Sequence, residues 1–330
     1  MRGFIPLLAL SVGALAAPSL SAQQAPPVAA KPPAAAPALP AEAPPDVIKL
    51  GQRTDRLTVP VSIADRGPFP FIIDTGAERS VVSRELADYL KLVCGDNIRL
   101  FDFTGPADVP TVRVPSLSTG KLGIAAIEAP QLLMDDIGAP GMLGIDLLQG
   151  QRVILDFQTR RMTIKPARRH AYGQYVIPVH SRTGQLIVTE AWFNDERIAV
   201  VIDTGSWLSV GNSAMLKLAK KRLPNYGSVE VTSVTGRLFK ADYTAISNLK
   251  IGPVRFNNFG MVFADVPPFE RFGLSDRPAL ILGMSSLQLF GRVELDFANR
   301  EIAFTPRYRI DLNDVCRGGG MGCVTIGVGS

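Results

Sequence analysis

Two stretches of this 330-residue chain lead an apolar run straight into a carboxylate. They are Phe71-Ile72-Ile73-Asp74-Thr75-Gly76-Ala77 and Val200-Val201-Ile202-Asp203-Thr204-Gly205-Ser206. A charge at the edge of a core is costly unless its surroundings hold it. Gly two residues on permits a tight turn and lets another backbone come close. The Thr between them offers a hydroxyl that can tie the turn to a neighbour. If the two turns meet, electrostatics dictates the chemistry. Carboxylates roughly 3 Å apart repel by about 1.4 kcal/mol even at the dielectric of water, or about one pKa unit, and partial burial enlarges this. Such a pair holds one shared proton and titrates as a unit. One member can then act as general base on a water while the protonated member polarises a carbonyl. That chemistry requires no metal and no cofactor.

The two turns are expected to meet because the chain repeats itself. Asp74 and Asp203 lie 129 residues apart, and the same offset relates Leu117–Gly123 to Ile246–Gly252. Met142-Leu143-Gly144 recurs as Ile281-Leu282-Gly283, and Arg152–Ile164 recurs as Arg292–Phe304. The longer spacing of these later matches places an insertion in the second copy, over Pro267–Pro278. A given tripeptide is expected roughly 0.07 times in a chain of this length, so chance does not compete with duplication. Two copies are too few for a solenoid.

Each copy reads as β-rich. Leu57–Ile63 alternates, and Phe69–Ile73 is a short apolar run that ends in a turn. Ser80–Leu92 and Ser213–Arg222 read as short helices, and Val153–Ile164 and Val293–Phe304 as twin hairpins. Many short strands with one or two small helices per copy imply an all-β, closed or folded architecture. Lobe one is placed at 46–167, a connector at Arg168–Gly173, lobe two at 174–310 and a tail at 311–330.

Composition agrees with a globular protein, at 46% hydrophobic and 20% charged residues. The net charge of +5 comes from scattered basic residues, which argues against a nucleic-acid role. Met1-Arg2 precedes an apolar run, Phe4–Ala17, shorter than the roughly 20 residues of a membrane span. Residues 1–22 therefore read as a signal peptide, with an uncleaved anchor as the alternative. Residues 23–45 are a Pro/Ala-rich tether. The expected location is periplasmic or secreted, or membrane-anchored if the signal stays. No later stretch is apolar and long enough to span a bilayer. Cys316 and Cys323 either close a small disulfide loop or remain two free thiols, while Cys94 reads as a small buried hydrophobe. With only two histidines a zinc site is hard to assemble. The chain also lacks a Gly-x-Ser-x-Gly elbow and a P-loop.

On Ile73–Ala77, Ile202–Ser206, Met142–Gly144 and Ile281–Gly283, the chain resembles aspartic proteases of the pepsin and retropepsin type. The resemblance is strongest to bacterial retropepsin-like proteins with both lobes in one chain, over about Leu57–Pro306. It implies a two-lobed, pseudo-twofold acid-protease fold built from duplicated retropepsin-like β-barrel lobes with short helices. It implies that Asp74 and Asp203 form a catalytic dyad, supported by Thr75, Gly76, Thr204 and Gly205, with the two Thr locking the turns across the lobe interface. The apolar-apolar-Gly strands would pass beside each loop. Flap hairpins, with candidates in Phe103–Val114 and Ser233–Ala241, would close over an extended peptide. The implied function is an aspartic endopeptidase with a peptide or protein substrate, no cofactor and no metal.

The departures from the family pattern matter. Ala77 follows the first turn as in retropepsins, Ser206 the second as in pepsin-like enzymes, and Glu78 and Trp207 come next. These four residues are the expected substrate border, with Trp207 equally readable as core. Ser80 and Ser209 are expected to cap helices rather than to steady the loops. Asp156 and Asp296 are expected to be structural. The short connector favours pairing of the lobes within one chain, a monomer, over pairing with another chain. The reading from another functional class is an exported peptide-binding protein that kept the scaffold and lost turnover.

Overall fold

A computed structural model describes residues 5–6, 10–13, 47–49, 51–53, 56–166, 175–182, 185–219, 221–252, 254–306 and 325–328. The tether at 23–45, the connector at 168–173, and Cys316 and Cys323 lie outside the described residues, as does most of 1–22 and of the tail.

The architecture is organised around the two strands that end at the Asp residues. In lobe one, Arg66–Ile73 pairs antiparallel with Arg56–Ile63 and parallel with Gly141–Leu143, with Leu143 opposite Ile73. Gly141–Leu143 pairs in turn, antiparallel, with Val81–Ser83, the strand just past the turn. Lobe two repeats this with Glu196–Ile202 between Gln185–Phe193 and Ala279–Leu282, and with Val210–Gly211 beyond. Both faces of each Asp strand are covered. Phe71 and Ile73 sit in the large cluster with Val59, Val61 and Leu143, while Ile72 packs the opposite way with Val81, Leu132 and Met142. A strand buried on both faces reads as a continuous apolar run, which is what precedes each Asp.

A six-stranded antiparallel sheet joins the lobes. Its order is Val47–Lys49, Arg161–Pro166, Gln151–Asp156, Phe290–Asp296, Glu301–Pro306, Tyr175–Arg182. The twin hairpins read from the sequence form its centre, with Ile154 opposite Glu294. Asp156 and Asp296 build the hairpin turns. Asp156 accepts from the Thr159 N–H (2.8 Å), and Asp296 from the N–H groups of Ala298 (3.1 Å) and Asn299 (2.8 Å). The fold is thus the duplicated acid-protease architecture.

Several local expectations need correction. The first helix is Arg84–Leu90, and its cap is Ser83, whose Oγ accepts from the Leu86 N–H (3.1 Å). The second is Ser213–Leu216, capped by Asn212 through the Met215 N–H (2.9 Å). Ser80 and Ser209 are not caps, because strand pairing with the apolar-apolar-Gly segments claims Val81–Ser83 and Val210–Gly211 before either helix starts. Cys94 is exposed rather than buried, since Val93–Cys94 is an edge strand beside Thr111–Thr119. The insertion in the second copy carries a helix, Pro267–Arg271.

The flap hairpins begin earlier than expected, as Ile98–Asp102 with Gly105–Val109 and as Ser228–Ser233 with Leu238–Ile246. Their tips fall at Thr104-Gly105 and Thr235-Gly236, where φ is +116° at Gly105 and +78° at Gly236. Those values favour glycine. The first strand of each flap carries an added strand from the chain itself. Ile5–Pro6 runs parallel to Ile98–Asp102, and Leu10–Gly13 runs antiparallel to Ser228–Ser233. Among the described residues no helix is long and apolar enough to cross a membrane.

Candidate active site

The two Asp-Thr-Gly turns meet at the centre of the molecule and are tied together twice over. The Thr75 N–H donates to Thr204 Oγ1 (3.0 Å), and the Thr204 N–H donates to Thr75 Oγ1 (3.1 Å). Each hydroxyl donates onward to the opposite strand, Thr75 to the Ile202 carbonyl (3.0 Å) and Thr204 to the Ile73 carbonyl (2.9 Å). A hydroxyl can accept and donate at once, so one Thr in each turn satisfies two buried main-chain groups of the other lobe.

Each carboxylate is oriented by its own turn. Asp74 Oδ1 accepts from the N–H groups of Gly76 (2.8 Å) and Ala77 (3.1 Å). Asp203 Oδ1 accepts from those of Gly205 (2.9 Å) and Ser206 (3.2 Å). The carboxylate of Asp74 also lies directly on the partner turn. A first side-chain carbon placed on Gly205 would stand 2.2 Å from Asp74 Cγ and 2.4 Å from both of its oxygens. Gly205 is therefore required by the close approach of a carboxylate, a stronger demand than turn geometry alone.

Behind the turns the apolar-apolar-Gly strands run where the resemblance implies. The Asp74 N–H donates to the Leu143 carbonyl (2.9 Å) and the Asp203 N–H to the Leu282 carbonyl (3.1 Å). Gly144 and Gly283 press on main chain. A side-chain carbon added to them would fall 2.7 Å from the Arg79 carbonyl oxygen and 2.4 Å from that of Leu208, respectively. Ser80 and Ser209 close this arrangement. Ser80 Oγ accepts from the Gly144 N–H (3.1 Å) and donates to Asp146 Oδ1 (2.7 Å). Ser209 Oγ accepts from the Gly283 N–H (3.1 Å) and shares a hydrogen bond with Ser286 Oγ (2.7 Å). They steady the loops, contrary to the capping role expected for them. Burial raises the pKa of Asp146 above the ordinary carboxylate value, against the opposing hydrogen bonds from Ser80 and Leu147.

The expected substrate border is placed unevenly. Ala77 and Ser206 are fully buried, and Ser206 Oγ donates to the Leu208 carbonyl (2.7 Å) within its own loop. Glu78 and Trp207 are half-buried. Glu78 receives a hydrogen bond from Arg271 (3.0 Å), which also stands over the Phe101 ring at 5.9 Å. Arg271 thus carries the lobe-two insertion across to the first turn and the first flap. Nothing in the local sequence marks this role beyond its place in that insertion. A pocket of about 440 Å³ opens there, lined by Glu78, Arg79, Ile145, Asp146, Gln149 and Arg271.

Two carboxylates brought together on hydrogen-bonded turns have the chemistry to activate a water. A family model described as "Aspartyl protease" matches residues 59–147 and 189–286, one region in each lobe and more than half of the chain. The chain belongs to the aspartyl protease family. In this aspartyl protease chain each matched region holds one Asp-Thr-Gly turn and one apolar-apolar-Gly strand. A comparison with curated proteins gives no match. Among the described residues no three His, Cys, Asp or Glu side chains cluster as metal ligands.

Proposed function

We propose that the chain is an exported aspartic endopeptidase in which Asp74 and Asp203 hold one proton between them and activate a water against a peptide carbonyl. The observation that carries the reading is the reciprocal Thr75–Thr204 tie, which brings two oriented carboxylates to one place. Like charges that close ionise one at a time. The ionised member takes a proton from the water, the protonated member donates to the carbonyl oxygen, and the tetrahedral intermediate collapses as a proton passes to the leaving amine. No other group is needed to balance these steps.

Substrate grip follows from the flap strands. Ile98–Asp102 and Ser228–Ser233 each accept an added strand, taken in the full chain by residues 5–6 and 10–13. Removal of the N-terminal stretch as a signal peptide leaves both edges open to an extended peptide. The apolar Phe4–Ala17 run supports export to a periplasm or beyond. Within one chain the lobes supply both halves of the site, so the working unit is a monomer.

Purified protein is tested for cleavage of an unfolded protein from about pH 3 to about pH 8, beside Asp203→Asn. Cleavage at mildly acidic pH that disappears in the variant is the expected result. Equal cleavage by both proteins overturns the reading. No cleavage by either, with both folded, replaces it with a peptide-binding relative on the same scaffold.

A further inference from the structure

The flap tips do more than approach each other. In the repeat, Asp102-Phe103-Thr104-Gly105 corresponds to Ser233-Val234-Thr235-Gly236. Each tip inserts its apolar residue into the other lobe. Phe103 is buried in an apolar cluster otherwise made of lobe-two residues, Val201, Val231 and Val262 among them, and Val234 in one otherwise made of lobe-one residues, Ile72, Leu132 and Met142 among them. The hydroxyls exchange in the same sense. Thr235 Oγ1 donates to Asp102 Oδ2 (2.5 Å), and Thr104 Oγ1 lies 3.4 Å from Ser233 Oγ. The symmetry is broken by charge. Asp102 is wholly buried, whereas its counterpart Ser233 is neutral.

A buried carboxylate is tolerated only when its hydrogen bonds are made. Two for Asp102 come from its own flap, the N–H (2.7 Å) and hydroxyl (2.6 Å) of Thr104. Two come from the other flap, the Thr235 hydroxyl and Arg237 Nη2 (3.3 Å). Arg237 also donates to the Gly105 carbonyl (3.0 Å) and through Nε to Thr235 Oγ1 (3.2 Å). Apolar contacts alone tolerate sliding, whereas a buried charge with directed partners fixes one register.

We propose that Asp102, Thr235 and Arg237 are positioning residues that latch the two flaps in one closed register over the site. Parting the flaps strips Asp102 of half its partners, so substrate admission and product release require the latch to open. The kinetic consequence rests on the peptide-cleavage reading; the latch itself does not.

Amide exchange of the full chain tests the latch without turnover. Arg237→Ala and Asp102→Asn are expected to speed exchange in 98–109 and in 228–246 together, by about tenfold or more. Lys240→Ala removes an exposed ion pair to Glu230 on one hairpin and is expected to leave exchange unchanged. Acceleration confined to the mutated hairpin, or absent, overturns the proposal. Should either variant fail to fold, Thr235→Val removes a single hydroxyl and must give the same joint acceleration. In a peptide-cleavage assay, Arg237→Ala is expected to raise KM about tenfold while kcat stays within about threefold, because the dyad is untouched. A fall in kcat with KM unchanged overturns the positioning role. A chain that cleaves nothing refutes only the protease reading, and the exchange result then decides the latch by itself.

Discussion

Replacing Thr204 by Val keeps the shape of the side chain and removes its hydroxyl. Two groups lose their partner, the Ile73 carbonyl (2.9 Å) and the Thr75 N–H (3.0 Å). Both belong to residues that are nearly or wholly buried, with Ile73 at 0% and Thr75 at 3% exposure, so water does not replace the hydroxyl. Orphaning a buried donor or acceptor costs ~1–3 kcal/mol each. The added methyl returns about 0.8 kcal/mol. The net expectation is about 1–5 kcal/mol, centred near 3, a large part of the ~5–15 kcal/mol that holds a domain folded. Thr204→Ser keeps both hydrogen bonds and loses only a methyl, so it should cost about 1 kcal/mol. Urea unfolding of the full chain, comparing midpoints at constant slope, reads the difference. The double replacement with Thr75→Val should cost less than the two singles combined, by ~0.5–3 kcal/mol, because each hydroxyl is held in place by the other turn. A Val variant as stable as the Ser variant would refute the claim that this tie, rather than the surrounding apolar packing, joins the turns.

Two further outcomes follow. Gly205→Ala places a methyl against an Asp74 carboxylate that Gly76 and Ala77 hold fixed, so cleavage should fall about a hundredfold or more in a chain that still folds by circular dichroism; unchanged cleavage would mean that the turns stand farther apart. Titration by NMR should separate two carboxylates of opposite sense. Asp265 is held below the ordinary value by the Ser213 hydroxyl and N–H, so it stabilises the fold above the unfolded carboxylate pKa and loses this as pH falls through its lowered folded value. Ser213→Ala should move its titration upward. Asp146 is raised by burial, so its contribution declines as pH rises from the unfolded value through its raised folded one, and Asp146→Asn should abolish that decline. A Ser213→Ala variant with Asp265 unmoved would contradict the stated cause.

The duplication made most of the fold legible. It aligned the Asp turns, the apolar-apolar-Gly strands and the closing hairpins, and each aligned segment occupies an equivalent place. Legibility failed where a residue's role depends on a partner far away in sequence. Ser80 looks like a cap because a short helix follows it, but its partners are Gly144 and Asp146. Cys94 looks like core because its type is usually buried, but it sits on an edge strand. Asp102, Arg237 and Arg271 carry no local pattern that marks them; each acts across the two lobes.

What the two lobes preserve and what they let diverge falls along one line. Main-chain contacts at the turns are matched pair for pair, down to the carbonyls of Leu143 and Leu282 that receive the Asp N–H groups. Side-chain partners differ. Asp146 backs Ser80 where Ser286 backs Ser209, and at the hairpin tips the position held by Asp102 in lobe one is held by Ser233 in lobe two. On the joining sheet Glu294, paired with Arg152 and Arg292, lies opposite Ile154. In the proposed mechanism both carboxylates must reach one water, which requires the geometry that orients them to be symmetric. Charge need not be, and a peptide has a direction that a symmetric site cannot register. Two lobes on one chain can keep the first and vary the second. Glu78 is paired with Arg271 beside the first turn, while Trp207 stands at the matching place beside the second. On the proposed peptide-cleavage reading this asymmetry is where the direction of a substrate would register.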